Sequence, residues 1–491
     1  MKGVRVQDAT NKFSRLQIFG LIAGPLLFIF ILILPAPEGM NPQAWKTTAI
    51  ALFMAIWWMT EPIPIPATAL LPLVLLPLFG IRTMKLAAQP YAHPLIYLFM
   101  GGFILALGMR KWNLHKRIAL QIIKKMGTGS KQIIAGFMIA AAFLSMWVSN
   151  TATTMMMLPI ALPIIELAGR SGRRKSDENF AIALLLGIAY ACSIGGMGTL
   201  IGTPPNALLA GFMADSYGLQ IGFGQWMLMG VPLVILGLPL IFVILTRFIF
   251  KIGTENLQMG GSVIEEELKR LGPITREEKL VALVFSLVAM AWIFRPAINL
   301  ALPGVTDTGI AMFGALILFI IPVNLKKGEF LLDWQAMRDL PWGVLILFGG
   351  GLSLAGAIKD TGLAQWIGMQ LEFLHFLPIL LFILIIAAVI IFLTELTSNT
   401  ATTAAFLPIM ASVAIGLSQD PLLLAIPAAL SASCAFMLPV ATPPNAIIYA
   451  SGLVKINQMI RAGIWLNILF IFLVTAVVYL LAPSIFNFII R

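Results

Sequence analysis

Apolar residues fill this chain in runs of about 18 or more, from LQIFGLIAGPLLFIFILIL near the start to IWLNILFIFLVTAVVYLLA near the end. Each run can cross a hydrocarbon core about 30 Å thick. Short stretches rich in Gly, Pro and charge separate them. The pattern predicts an all-α polytopic membrane protein with about 11 transmembrane helices, near 17–35, 47–60, 63–80, 94–109, 178–213, 226–250, 278–296, 308–323, 340–358, 421–450 and 462–487. Two more segments, about 131–168 and 376–417, are apolar but interrupted midway by polar residues, and read as re-entrant helical hairpins. No interval is long and polar enough for a separate soluble domain. The first run, 16–34, is too long for a signal-peptide core and lacks a small-residue cleavage site, so it reads as a retained helix.

Composition agrees: 59% of the 491 residues are hydrophobic and 11% charged, against roughly 25% charged in soluble domains. A net charge of +11 would point to nucleic acid in a soluble chain. Here its distribution matters more, because Lys and Arg collect in short cytoplasmic loops. With the N-terminus inside, all but six of the 32 (Lys46, Arg82, Lys85, Arg295, Lys359 and Arg491) fall on the cytoplasmic side of this topology. The expectation is an integral protein of the plasma (inner) membrane, N-terminus cytoplasmic and C-terminus extracytoplasmic, with the lipid bilayer and no nucleic acid as its partner. Cys192 and Cys434 lie in apolar context without metal-like or disulfide-like spacing and read as buried free thiols.

The chain repeats itself. SNTATT stands at 149–154 and again 249 positions later at 398–403, each time followed by LPI. At the same offset LFMGGFILALGMRKWNLHKRIA (98–119) aligns with LFGGGLSLAGAIKDTGLAQWIG (347–368), and GTPPNA (202–207) is matched by ATPPNA (441–446). The segment after the first glycine-rich helix is basic and its counterpart nearly neutral, so the two copies face opposite sides of the membrane. Inverted-topology repeats are an architecture of secondary transporters, with the substrate site near the bilayer midplane. Duplication also yields channels and scaffolds, but here the best-preserved parts are polar.

Those polar parts have definite chemistry. Each SNTATT lies between apolar halves too short to span alone, so it marks a hairpin tip within the membrane. Ser, Asn and Thr suit the N-cap of the second hairpin helix, leaving N–H groups and partial positive charge directed at an anion. The first hairpin helix ends at the same tip and offers carbonyl oxygens to a small hard cation; Ser145 and Thr394, one turn earlier, add hydroxyls. The Pro-Pro pairs at 204–205 and 443–444 break a spanning segment. Unwound backbone at that depth is tolerated only in protein or lining a cavity. Glu395 is the only acidic residue in these four segments, which contain no Lys or Arg. A bound dianion would then be neutralised by helix ends, hydroxyls, amides and co-bound cations, which couples cation to anion.

The doubled Ser-Asn-Thr motif, each copy followed by a Pro-Pro-Asn break, resembles the divalent anion:sodium symporter family, including its INDY-type dicarboxylate, citrate and sulfate transporters. The resemblance covers essentially the whole chain. It implies Na⁺-coupled symport of a di- or tricarboxylate such as succinate, malate or fumarate, by an elevator mechanism in a homodimer, without enzymatic activity or organic cofactor. It implies scaffold parts at 1–125 and 278–372, transport parts at 126–250 and 373–491, and a cytoplasmic connector at 251–277. It assigns a first Na⁺ site to Ser145, Ser149, Asn150 and the Gly202 carbonyl, and a second to Thr394, the Thr397 carbonyl, Ser398, Asn399 and the Ala441 carbonyl. Asn150, Thr151, Asn399 and Thr400 match the substrate ligands, with Thr203, Thr442 and Pro443 lining the site. A Na⁺-independent dicarboxylate exchanger and a sulfate symporter of the same fold are the alternatives.

Other classes have less support. There is no HExxH, GxSxG or pair of intramembrane aspartates to serve an enzyme, and GGMGTLIG fails the dinucleotide fingerprint on spacing. An anion channel would show no cation dependence. His93, His115 and His375 read as interfacial or surface residues, and Glu61 as a capping or packing residue. Segments 110–125 and 359–372 read as helices along opposite membrane surfaces.

Overall fold

The computed structural model describes residues 14–169, 175–253, 258–370 and 377–490. His375, Arg491, the basic residues before 14 and those at 170–174 lie outside the described residues, as do positions 254–257 of the expected connector and 371–372 of the expected second surface helix. The helices are α1 (Arg15–Ile33), α2 (Pro42–Thr60), α3 (Ile65–Thr68), α4 (Leu71–Leu78), α5 (Met84–Ala88), α6 (Pro94–Lys111), α7 (Leu114–Met126), α8 (Ser130–Ser145), α9 (Asn150–Gly169), α10 (Lys175–Gly196), α11 (Pro204–Tyr217) and α12 (Phe223–Val243). They continue with α13 (Gln258–Leu271), α14 (Arg276–Ile293), α15 (Arg295–Ala301), α16 (Asp307–Ile320), α17 (Trp342–Asp360), α18 (Leu363–Gln370), α19 (Ile379–Thr394), α20 (Asn399–Gly416), α21 (Leu422–Ala432), α22 (Pro443–Ala450) and α23 (Ile456–Phe486). Among the described residues the strands form one small antiparallel pair, Pro322–Asn324 with Glu329–Phe330.

The all-α membrane class holds, and the difference from the expected crossings lies in how they are built. Among the described residues, 8 helices are long and apolar enough to cross a membrane alone, with a ninth if α14 and α15, bent by 80°, count as one. One expected crossing is divided without having been expected to be: residues 63–80 become α3 and α4, a stretch that carries Pro64, Pro66 and Pro72. The breaks expected at the two Pro-Pro pairs are present, 178–213 forming α10 and α11 and 421–450 forming α21 and α22. Proline removes a ladder donor and clashes with the preceding turn, which explains why each division falls beside one.

Burial runs from edge to centre. α1 buries only Gly20, Gly24 and Ile31, and its Leu16, Phe19, Leu26 and Phe30 are exposed as a lipid-facing helix requires. α10 is 94% buried over its apolar window, and every residue of α21 is buried, so the helices leading into the two Pro-Pro breaks are the most central. Lipid is as apolar as a leucine side chain, so helix contact here depends on close packing of small residues. A Cβ on Gly195 of α10 would stand 2.3 Å from the Ala142 carbonyl oxygen of α8, and one on Gly101 of α6 would stand 2.7 Å from backbone of Ala311 in α16. These glycines let the backbones touch; a leucine at either would force the pair apart.

On the side carrying most of the basic residues, α7 is amphipathic: Leu114, Leu120 and Ile123 are buried and Lys116, Lys124 and Lys125 are not. It holds α13 through Lys116–Glu267 at 2.7 Å and Lys124–Glu265 at 3.1 Å. Arg117, buried, bonds both Glu278 oxygens at 3.1 and 3.0 Å and the Gly272 carbonyl at 3.0 Å, fastening the turn between α13 and α14. His115 is also buried rather than at the surface, with its Nδ1 3.1 Å from the Met109 carbonyl.

Candidate functional site

Each SNTATT begins a helix where another has just ended. α8 stops at Ser145 and α9 starts at Asn150; α19 stops at Thr394 and α20 starts at Asn399. Four residues therefore make each tip. In the first, the Ser149 hydroxyl accepts the Ala152 N–H at 3.3 Å, the cap its residue type suggests. In the second, Ser398 is extended but makes no side-chain cap bond, so the expected capping holds in only one copy. Two further pairs of contacts match between the tips. Ser145 donates to Asn150 Oδ1 at 2.5 Å and Thr394 to Asn399 Oδ1 at 2.8 Å. Thr154 and Thr403 return their hydroxyls to the carbonyls of those same asparagines, each at 2.8 Å. A hydroxyl and an amide oxygen are hard ligands suited to an alkali cation.

The Pro-Pro breaks also match. Thr203 (φ −144°, ψ 142°) and Thr442 (φ −139°, ψ 149°) are extended, and two prolines open the next helix in each case. The preceding turns are unwound, and buried carbonyls there need partners. Asparagine supplies them. Asn206 Nδ2 donates to the carbonyls of Gly196 and Met197 at 3.3 Å and of Thr199 at 2.7 Å; Asn445 Nδ2 donates to those of Ala435 at 3.2 Å and Leu438 at 3.1 Å. The fourth residue of TPPN thus pins the break that the two prolines create.

Tip and break meet in each repeat. A Cβ on Gly196 would lie 2.7 Å from Asn150 Oδ1 and 2.9 Å from the Gly202 carbonyl oxygen, so both oxygens face the bare side of one glycine. Thr199 donates to the Met146 carbonyl of the tip and accepts the Gly202 N–H at 3.1 Å. In the second repeat Glu395 of the tip accepts N–H groups from the break, and the Ala441 N–H reaches the Leu438 carbonyl at 3.3 Å. The repeats are also interlocked, α9 packing on α22 and α20 on α11.

Ser145, Thr394, Gly202, Thr203, Ala441 and Thr442 are buried, while Ser149, Asn150, Thr151, Ser398, Asn399 and Thr400 are half-buried, as groups facing a ligand space would be. Thr397 is buried, its hydroxyl bonded to the Leu393 carbonyl at 3.0 Å and to Thr402 at 2.6 Å. Pro443 is exposed, less enclosed than a lining role implies. Some tip carbonyls offered to a cation are already engaged, Met146 by Thr199 and Leu393 by Thr397. The hydroxyl, amide and carbonyl oxygens gathered here are hard ligands, which suit alkali cations better than a transition metal. Sequence reasoning missed Thr199, Tyr190, Asn467 and the use of Asn206 and Asn445. The last two stood in a noticed motif, whereas the others had no local signal.

A family model of the sodium:sulfate symporter transmembrane region matches residues 16–485. The chain is 46% identical over 477 residues to the sodium-dependent dicarboxylate transporter SdcS of Staphylococcus saprophyticus, covering 96% of this chain and 92% of that one. It is 44% identical over 479 residues to SdcS of Staphylococcus aureus strain USA300, with the same coverage. In fold it resembles MtrF of Neisseria gonorrhoeae (TM-score 0.55, 12% identity, 95% of each chain) and the YdaH transporter of Alcanivorax borkumensis (TM-score 0.53, 12% identity, 81% and 87%).

Proposed function

The chain belongs to the sodium:sulfate symporter family, and on that premise we propose that it imports a C4 dicarboxylate such as succinate together with Na⁺. It is an integral membrane transporter and not an enzyme. The observation that carries the reading is the doubled hydroxyl-to-asparagine contact, Ser145–Asn150 and Thr394–Asn399, beside two pinned breaks. Each set gathers oxygens for one cation, from Ser145, Ser149, Asn150 and the Gly202 carbonyl, and from Thr394, Ser398, Asn399 and the Thr397 and Ala441 carbonyls. The dianion is held by the Asn150, Thr151, Asn399 and Thr400 side chains and the N-termini of α9 and α20, with Thr203 and Thr442 beside it.

Coupling then follows from charge. Cations bind first and turn a neutral polar site positive; the anion follows, and neither crosses favourably alone. Movement is of the elevator type, with 126–250 and 373–491 sliding against 1–125 and 278–372 in a homodimer whose N-terminus is cytoplasmic. The dicarboxylate names of the relatives favour that substrate, and the family description supports sulfate as a second reading. The test is uptake of labelled succinate into proteoliposomes under an inward Na⁺ gradient, against K⁺ or choline, with sulfate as competitor. Uptake only with Na⁺ is expected; Na⁺-independent uptake that requires internal dicarboxylate would make the protein an exchanger.

A further inference from the structure

Glu395 is the only acidic residue in the four polar segments, and its counterpart one repeat earlier is Met146. It is 3% exposed, next to Thr394 on the tip of the second hairpin. Its Oε1 accepts the Phe436 N–H at 2.6 Å, the Met437 N–H at 2.9 Å and Asn467 Nδ2 at 2.8 Å, and its Oε2 accepts the Leu438 N–H at 3.0 Å. Oε1 takes three N–H donors and Oε2 one, so the group is tied through both oxygens to the break and to α23 and serves as an anchor.

What it anchors is the unwound segment leading to Ala441. Leu438 is gripped on both sides of its peptide, its N–H by Glu395 and its carbonyl by Asn445 at 3.1 Å and the Ala441 N–H at 3.3 Å. Phe436 is held equally, its N–H by Glu395 and its carbonyl by the Tyr190 hydroxyl at 2.7 Å. α23 presses on the same place, since a Cβ on Gly463 would fall 2.4 Å from Phe436 backbone. The first repeat makes the equivalent junction with a neutral group, the Thr199 hydroxyl between the Met146 carbonyl and the Gly202 N–H. The two cation sites, alike in their candidate ligands, therefore differ in the link between hairpin and break. One is a hydroxyl with two bonds, the other a carboxylate with four charge-assisted bonds, which are roughly twice as strong as neutral ones.

We infer that Glu395 is the positioning residue of the second cation site, an assignment that rests on the Na⁺-coupled reading above. It holds the Ala441 segment against Thr394 and Asn399, and it brings a negative charge that the first site lacks. The second site is accordingly the more rigid and the tighter of the two, and fills first. Groups that orient a metal's ligands without touching the metal typically change its affinity about 10- to 100-fold when removed.

The experiment uses the full-length protein. Na⁺ is titrated against succinate uptake in proteoliposomes and, independently of transport, against thermal stability of purified protein, for wild type, Glu395→Gln and Asn467→Ala. Glu395→Gln should raise half-saturating Na⁺ about tenfold and reduce the cooperativity of the Na⁺ curve. Asn467→Ala, which leaves the carboxylate on its three backbone donors, should shift the curve in the same direction by less. A general packing defect would lower stability without moving the Na⁺ midpoint. Variants that titrate like a Na⁺-dependent wild type overturn the inference alone, whereas a wild type indifferent to Na⁺ in both assays overturns the Na⁺-coupled reading and the inference with it. Should Glu395→Gln fail to fold, the Asn467→Ala midpoint decides: displaced, it supports the anchor; unmoved, it overturns it.

Discussion

The Thr394 hydroxyl donates to the Asn399 side-chain oxygen over 2.8 Å across the tip of the second hairpin, and Ser145 does the same to Asn150 in the first. Two oxygens that can ligate a cation thus face each other. Thr394 has a second acceptor, the Ala432 carbonyl at 2.9 Å, so its proton can turn there and leave a lone pair for the ion. Asn150→Ala and Asn399→Ala should each reduce Na⁺-driven succinate uptake at least about tenfold, since an unsatisfied partner costs about 1–3 kcal/mol. The purified variants should remain folded. Normal uptake together with wild-type stabilisation by Na⁺ would remove the assignment.

Gly196→Ala tests the first site without deleting any ligand. The added methyl would stand 2.7 Å from Asn150 Oδ1 and 2.9 Å from the Gly202 carbonyl oxygen, inside the contact distance of both. Na⁺ affinity should fall, and stability in K⁺ buffer should fall as well, because the Gly202 carbonyl is backbone and must shift. A Na⁺ titration of thermal stability, compared with Gly80→Ala at a position open on all sides but with φ +66°, separates a blocked site from general backbone strain.

Arg117 and Glu278 are both buried and paired over 3.0 Å. Arg117→Ala leaves the carboxylate without its partner, and breaking such a pair costs about 3–5 kcal/mol. The double replacement Arg117→Met with Glu278→Leu should recover much of that loss. Thermal unfolding in detergent reads both, and a double variant no better than the single would show that the pair is not acting as a unit.

The Lys116 ammonium beside Glu267 holds that carboxyl below its ordinary 4.5. A depressed carboxyl contributes stability above its ordinary value and loses it as pH falls through the lowered folded value. The contribution should therefore be complete at neutral pH and fade below about 4.5, worth no more than about 1 kcal/mol for a pair this near solvent. Glu267→Gln should flatten the acid limb of a stability-versus-pH curve; an unchanged limb would exclude the pair as its source.

The polar motifs were legible because membrane burial makes them costly. A polar hexapeptide written twice within apolar runs needs a reason; Asn150 and Asn399 stand inside it, and Ser145 and Thr394 could be singled out by lying one turn before its two serines. The prolines likewise announced the breaks, since their missing N–H is a local property of the chain. Helix lengths were less accessible. Hydropathy averages over a window and passed across the divisions in 63–80, 178–213 and 421–450, where only the prolines signalled an interruption.

By itself, then, the sequence determined the all-helical membrane class, the two-copy plan and the tips and breaks, because periodicity, proline and charge act within a turn or two of the residue that carries them. The tertiary structure alone decided what joins each tip to its break. Thr199 reaches Met146 across 53 positions, Glu395 reaches Phe436 across 41 and Asn467 across 72, and Tyr190 reaches Phe436 across 246. No local pattern encodes such pairs. They exist because glycines let helices approach closely enough for a buried donor to meet the one acceptor left to it, and in an interior without water that unmet need is what selects the partner.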